Sequence, residues 1–430
     1  RFLDEEYNST SQEDLLPEHK THWYECRTQV DRRIDLGSAL DASFVNHAPA
    51  GKYGFLKRVG DHFEFEKRPG VRAVFWGTCF GSAPEKQYAP LYAEALARAG
   101  INILRIHGWS SQFKHPGYPE QIKRSFTLPG EKVNYKTLDD YHYFFAELIK
   151  RGIYIYMDTI TAGHWFSKPG NPKWEPEYRE KCKKMAEVMY LSHNPDTGKR
   201  LVDEPAFAMC EIINESSCTY DGDIQNERPS VRKIKEEKWE KWQRMHGISP
   251  LQPLRGVPME GNGKEGRRFF AAEQKAFLED MYQFLRGIGV KVPICGTNLE
   301  LTAGDLWASQ NMDFMNDHAY WGASAMPNSF WYPNTQSLIR QPLSSGTPFL
   351  GEIVHSRLHD KPIVCTEWSV VYPNVYRQEA YPFVAAYTAY QNFDAMFSFD
   401  WSGAYLPNLK DVIKSHRIVC LSQMTDPSTF

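Results

Sequence analysis

No apolar run in this chain approaches the roughly 18 residues that a membrane-crossing helix needs. The opening Arg1-Phe-Leu-Asp-Glu-Glu6 also lacks the basic and apolar regions of a signal peptide. These absences predict a soluble protein with no membrane span, already processed if it is exported. Excess charge of one sign is missing too, since 50 Lys and Arg face 53 Asp and Glu for a net charge of -3. A nucleic-acid partner is therefore not expected. The eight cysteines contain no CxxC pair, and Cys79, Cys210, Cys295 and Cys365 lie inside apolar runs, which reads as buried thiols rather than metal ligands. There is no GxSxG elbow and no HExxH, so the commonest serine-hydrolase and zinc-hydrolase readings fall away. Gly261-Asn-Gly-Lys-Glu-Gly266 matches GxGxxG, but Gln252 to Glu260 before it contains proline and is no strand; a flexible loop is expected there, not a dinucleotide site.

What the chain does have is length for a large core, 430 residues at 42% hydrophobic, and an excess of aromatics with 12 Trp and 23 Tyr. Aromatic rings suit stacking on sugars, although a large core explains much of the excess. Residues 1–50 are polar and irregular, with one short helix expected near Trp23 to Ile34, and read as a lead-in wrapped on the main domain. Phe55 to Phe65 alternates apolar and polar residues around Gly60-Asp61, predicting a hairpin within 53–66 that serves as a lid or a plug.

From residue 71 short apolar runs alternate with helical periodicity. Val71–Gly77, Ile101–His107, Ile153–Met157, Ala206–Ile213, Val290–Cys295, Asp313–Asn316, Pro362–Thr366 and Asp394–Phe399 read as eight strands. Between them, helices are predicted over Tyr88 to Ala99, from Thr137 (with Asp140 as capping-box partner) to Lys150, and over Phe269 to Arg286. Helical stretches are also expected near 303–310, 348–358 and 377–392. Eight strands alternating with helices predict an α/β fold, a (β/α)8 TIM barrel over 51–430 with an N-terminal β-hairpin and a long insertion, 218–268, after strand 4. An open doubly wound sheet is the alternative, disfavoured because its phosphate-binding turn is missing. Within the insertion, Val231 to His246 reads as a docked amphipathic helix with Trp239 and Trp242 on its apolar face.

Such a barrel gathers the C-terminal ends of its strands on one face. Here those ends carry Arg105 and His107, Asp158, Asn214 and Glu215, Asp317, His318 and Tyr320, Glu367 and Trp368, and Asp400 and Trp401. Two glutamates delivered to one face are what a two-carboxylate glycosidase requires. An ion-paired structural role is the competing explanation for Arg105 or Asp158 taken singly. Asn214-Glu-Ser216 also matches a glycosylation sequon, as does Asn8-Ser-Thr10, but the former is expected in the cleft and so unglycosylated.

Asn-Glu closing strand 4 and Glu closing strand 7 resembles the clan A retaining glycoside hydrolases, most closely the family 5 branch of cellulases and mannanases. The resemblance spans about residues 45–425 through Asn102-Ile-Leu-Arg105, Ile213-Asn-Glu215, His318-Ala-Tyr320, Thr366-Glu-Trp368 and Trp401. It implies Glu215 as acid/base, Glu367 as nucleophile, Asn214 on the sugar 2-hydroxyl and Trp401 as a floor for the ring. It also implies that Arg105 and Tyr320 hold the nucleophile and that His318 lines the cleft, with no metal or organic cofactor required. Family members usually place a His at the end of strand 3, where this chain reads Tyr154-Ile-Tyr-Met-Asp-Thr159; His107 or His164 is left to fill that place. His107, Asp158, His164, Trp368 and Asp400 join the expected substrate-binding set. A carbohydrate substrate is implied, and with it an extracellular or periplasmic setting, while compartment and oligomeric state stay open. A transglycosylase using the same residues and a non-catalytic carbohydrate-binding barrel are the alternatives.

Overall fold

The computed structural model describes residues 34, 36–81, 83–109, 135–161, 171–218, 228–255, 262–299, 301–321, 349–370 and 377–401. His164, Cys26, Cys420, the Asn8 sequon and nearly all of the expected helix near 23–34 lie outside the described residues.

Two short strands, β1 (Leu56–Val59) and β2 (His62–Phe65), form the expected antiparallel hairpin. Eight parallel strands make up the main sheet: β3 (Phe75–Phe80), β4 (Ile103–Ile106), β5 (Tyr154–Ile160), β8 (Phe207–Ile213), β9 (Ile294–Cys295), β10 (Met315–Trp321), β11 (Ile363–Val370) and β12 (Ala395–Ser398). A small hairpin of β6 (His193–Asn194) and β7 (Lys199–Arg200) precedes β8. The hydrogen-bonded order β10-β11-β12-β3-β4-β5-β8-β9 is that of a (β/α)8 barrel with one seam, between β9 and β10. At that seam Asp313 stands in for a strand pairing: its backbone N–H donates to the Ile294 carbonyl at 2.8 Å, and its Oδ2 accepts the Ile294 N–H at 2.7 Å.

Eight α-helices are described: α1 (Ala89–Arg98), α2 (Tyr135–Lys150), α3 (Pro176–Leu191), α4 (Pro229–Met245), α5 (Gly263–Gly287), α6 (Ala303–Ser309), α7 (Phe349–His355) and α8 (Ala380–Tyr390). Several bounds differ from expectation. The first barrel strand begins at Phe75, not Val71, because Val71 and Val74 are exposed and Arg72 is committed elsewhere, bridging to Glu64 of the hairpin and donating to Asp394 at 2.9 Å. β9 is only two residues long; Pro293 has no N–H to give the ladder, although its carbonyl accepts the Cys210 N–H at 3.0 Å. Helix α2 starts two residues before Thr137, and Asp140 pairs with Lys136 at 2.8 Å. Gly263 and Gly266 lie in the first turns of α5, where a flexible loop is expected from sequence. Trp239 is buried beside Phe269, and Trp242 is partly buried against it, as a docked helix requires.

The hairpin is a plug. Phe63 packs edge-on to Phe314 and Phe65 stacks on Tyr154 at 5.0 Å, both at the N-terminal mouth of the barrel. Inside, side-chain size is matched closely: a Cβ at Gly77 would stand 2.6 Å from the Phe397 ring and 2.8 Å from Ile103. Outside, α1, α2, α3 and α5 contribute Tyr92, Leu96, Phe144, Leu148, Met189, Phe277 and Leu285 to one continuous apolar layer against the strands. The six described cysteines are all buried free thiols.

Candidate active site

At the mouth opposite the plug, the strand ends present a buried polar cluster built outward from Arg105. This side chain is wholly buried, which a guanidinium tolerates only when its charge is met. Its Nη1 donates to Glu367 Oε1 at 2.6 Å and its Nη2 to Asn214 Oδ1 at 2.7 Å, with Glu211 Oε2 at 3.4 Å and Asp158 Oδ2 at 3.8 Å. Burial works against the arginine's charge, but Glu211 and Glu367 outweigh it and hold its pKa well above the ordinary value.

Glu367 owes its direction to an irregularity in β11. The pairing to β12 runs Cys365 to Met396 and then Trp368 to Ser398, so β11 carries one extra residue at this point. As a result Thr366 and Glu367 both reach the interior cluster, while Trp368 turns to the outer face, packing on Trp76 and Tyr381 with ring centroids 6.1 and 5.2 Å away. Trp368 thus lies outside the cluster, in the apolar layer with Ile353 and Val384. The other oxygen of Glu367 accepts a short hydrogen bond from the Tyr320 hydroxyl. Burial first, and then the charges of Glu367 and Glu215, push the Tyr320 hydroxyl well above its usual pKa, so it stays a donor.

Glu215 adopts a left-handed backbone, φ 49°, at the turn that ends β8. Such a conformation costs a non-glycine residue energy and persists only when held. Here Asn298 Oδ1 accepts the Glu215 N–H at 2.9 Å and Thr297 Oγ1 accepts the Ser216 N–H at 2.9 Å. Asp305 then accepts the Ser217 hydroxyl and the Cys218 N–H, each at 2.7 Å. One carboxylate oxygen of Glu215 and one of Glu367 lie within 4.8 Å of each other, with His318 Nδ1 between them at 3.5 Å from Glu215 Oε1 and 3.6 Å from Glu367 Oε2.

His107 extends from β4 to Asp158 Oδ2, 2.7 Å away, and its Nδ1 is 4.0 Å from Glu367 Oε1. Burial lowers its pKa, but the charge and hydrogen bond of Asp158 prevail and raise it. His107 and Asp158 therefore join the cluster as a pair. Asp400 is wholly buried and Trp401 is 4% exposed, in the apolar layer that also holds Phe80 and Trp109; the Trp401 backbone N–H donates to the Cys79 carbonyl at 3.1 Å.

Beneath the cluster is a tier that reading the strand ends alone misses. Glu211 accepts from the Tyr156 hydroxyl at 2.8 Å, from Asn316 Nδ2 at 3.2 Å and, through a short bond, from Asn298 Nδ2. Thr366 donates its hydroxyl to Asn316 Oδ1 at 2.8 Å. Burial raises the pKa of Glu211, with Arg105 opposing. The sequence signal for Glu211 is a carboxylate in mid-strand among Met209, Cys210, Ile212 and Ile213; for Asn298 it is the polar Thr297-Asn298 after the fifth barrel strand.

Fold and site together define a (β/α)8 barrel that carries a carboxylate pair, the buried, arginine-held Glu367 and the partly exposed Glu215, at the C-terminal ends of its strands. No family model and no curated protein matches the chain. Among solved structures it is similar to an endo-1,4-β-mannanase from Rhizomucor miehei, with TM-score 0.54, 13% identity, and coverage of 84% of this chain and 98% of that one. It is also similar to a glycoside hydrolase family 5 mannosidase from the same organism (TM-score 0.52, 12% identity, covering 81% and 86%). A β-galactosidase from the haloarchaeon Halorubrum lacusprofundi matches at TM-score 0.52 and 14% identity, over 83% of this chain and 57% of that one. The chain therefore shares its barrel fold with family 5 glycoside hydrolases.

Proposed function

We propose that this protein is a retaining glycoside hydrolase that cleaves β-glycosidic bonds in an oligo- or polysaccharide. The observation that carries the reading is the carboxylate pair, with oxygens of Glu215 and Glu367 within 4.8 Å. Retaining enzymes hold their two carboxyl groups about 5–5.5 Å apart, whereas inverting ones need about 6.5–9.5 Å to seat a water between carboxylate and sugar.

In this reading Glu367 is the nucleophile. Arg105 and Tyr320 each direct a hydrogen bond at one of its oxygens, which stabilises its negative charge and fixes its aim. A carboxylate oxygen of Glu367 attacks the anomeric carbon as the bond to the leaving oxygen breaks, and Glu215 transfers its proton to that oxygen. The glycosyl ester on Glu367 is then attacked by water, whose proton returns to Glu215, and the ester bond breaks to free the carboxylate. Asn214, held by Arg105, is the partner for the sugar 2-hydroxyl.

The test is a panel of aryl β-glycosides and polysaccharides, starting with β-mannan because two fold neighbours are a mannanase and a mannosidase. Anomeric configuration is followed by NMR. Retention is expected, and inversion would overturn Glu367 as nucleophile. Glu215→Ala should lower kcat by about 10²–10⁴-fold. Activated aryl glycosides, which need no proton donor, should glycosylate the same variant at nearly the wild-type rate.

A further inference from the structure

His318 is not explained by a role in lining the cleft. Its side chain is fully buried, and its two nitrogens have different surroundings. Nε2 lies 3.1 Å from Thr366 Oγ1. The single Thr366 hydroxyl hydrogen is already given to Asn316 Oδ1 at 2.8 Å, so Thr366 can only accept from the histidine. Nε2 therefore carries the hydrogen, and in the neutral ring Nδ1 bears a lone pair. That nitrogen has no hydrogen-bond partner among the described residues and is aimed between two carboxylate oxygens, Glu215 Oε1 at 3.5 Å and Glu367 Oε2 at 3.6 Å.

One imidazole nitrogen and two carboxylate oxygens, all within 4.8 Å of one another, form a metal-ligand set. Zinc bonds of about 2.0–2.1 Å place the ligands of a tetrahedral ion about 3.3–3.4 Å apart. The two histidine-to-carboxylate separations exceed this by only a few tenths of an ångström, and the two carboxylate oxygens, within 4.8 Å of each other, reach the same spacing when the partly exposed Glu215 side chain swings toward Glu367 on binding. The second shell is present: Thr366 fixes the histidine tautomer, while Arg105 and Tyr320 fix Glu367. Three ligands including an imidazole suit a zinc-class ion, not calcium with its six to eight oxygens. We infer that Glu215, His318 and Glu367 bind one zinc-class divalent ion reversibly, engaging both carboxylates and thereby blocking the chemistry proposed for them.

Titration of metal-free full-length protein with zinc, followed by calorimetry and zinc X-ray absorption, tests this without any substrate. Expected are one ion per chain, a shell of nitrogen and oxygen with one imidazole, and at least a tenfold loss of affinity in both His318→Gln and Glu215→Gln. Thr366→Val should weaken binding about 10–100-fold by releasing the histidine tautomer. Thermal melting of each variant without metal identifies any that fails to fold, and Glu215→Gln, at a partly exposed position, keeps the test decisive if His318→Gln is lost. Absence of stoichiometric binding overturns the inference. So does binding that survives both substitutions but is lost in His62→Gln, since His62 with Asp61 and Glu64 forms a partly exposed cluster on the hairpin. Because the readout is binding, failure here leaves the hydrolase reading standing, and failure of that reading leaves this one standing.

Discussion

At the scale of single residues, the site depends on charges removed from water and met one by one. Arg105 and Glu211 are both fully buried, and each offsets part of the other's desolvation, with Glu367 the nearer partner of Arg105. Removing one partner of such a buried pair is costly because the other loses part of the compensation that its burial requires. Glu211→Ala should therefore lose about 3–5 kcal/mol in urea unfolding. Glu211→Gln keeps the shape but turns an amide N–H either toward the Asn298 donor or toward the Asn316 and Tyr156 donors, and should cost about 1–3 kcal/mol. Neither variant touches Glu367 directly, yet Arg105 also holds Asn214, so misaim of that asparagine should accompany the loss of stability. A hydrophobic packing role for Glu211 would instead leave Glu211→Leu unharmed.

Among the elements, local breaks in regularity do the positioning. The extra residue in β11 swings Glu367 inward and Trp368 outward, and the left-handed turn after β8 lifts Glu215 toward it. Neither carries a marker that a period-two reading of a strand detects, because such a reading assumes strict alternation. Helix α3 is likewise easily passed over, since its buried Tyr178, Cys182, Met185 and Met189 are separated by charged residues, although their spacing is helical. The α2–β5 junction is tighter still. Gly152 has φ 79°, and a Cβ there would stand 2.7 Å from the Ala48 backbone nitrogen. Gly152→Ala should lower stability by about 1–3 kcal/mol, read as a fall in Tm. An unchanged Tm would mean that residues 46–48 do not press on this turn.

Across the whole molecule, the barrel is tied to its plug by Asp394. Its carboxylate accepts from Arg72 at 2.9 Å and from the Ile363 N–H at 3.0 Å, yet burial outweighs both and raises its pKa from 3.8 to about 6. The folded state then holds this proton more tightly than the unfolded chain does. The stability it contributes is complete below about pH 4 and is lost as pH rises through about 6. Relative to Asp394→Asn, which cannot titrate, the wild type should lose about 2–3 kcal/mol between pH 4 and pH 7.5. Urea melts at the two pH values measure it, and a difference of the opposite sign would mean that Arg72 dominates.

The sequence by itself determined the barrel and the identity of the charged strand ends. Alternating apolar runs and helical periodicity report which residues are buried, and burial is a local property of pattern. It also marked Arg105, Glu215, Tyr320 and Glu367 as a group, through their common place at strand ends. Only the tertiary structure decided which of them meet. Arg105 and Glu367 are 262 positions apart yet 2.6 Å from each other, and that contact depends on barrel register, on a bulge and on a buried tier of Glu211, Asn298 and Asn316. It likewise turned Trp368 away and left one nitrogen of His318 facing both carboxylates. Hydrogen-bond geometry and the pairing of buried charge are set by the meeting of distant strands, and no local pattern in the chain encodes them.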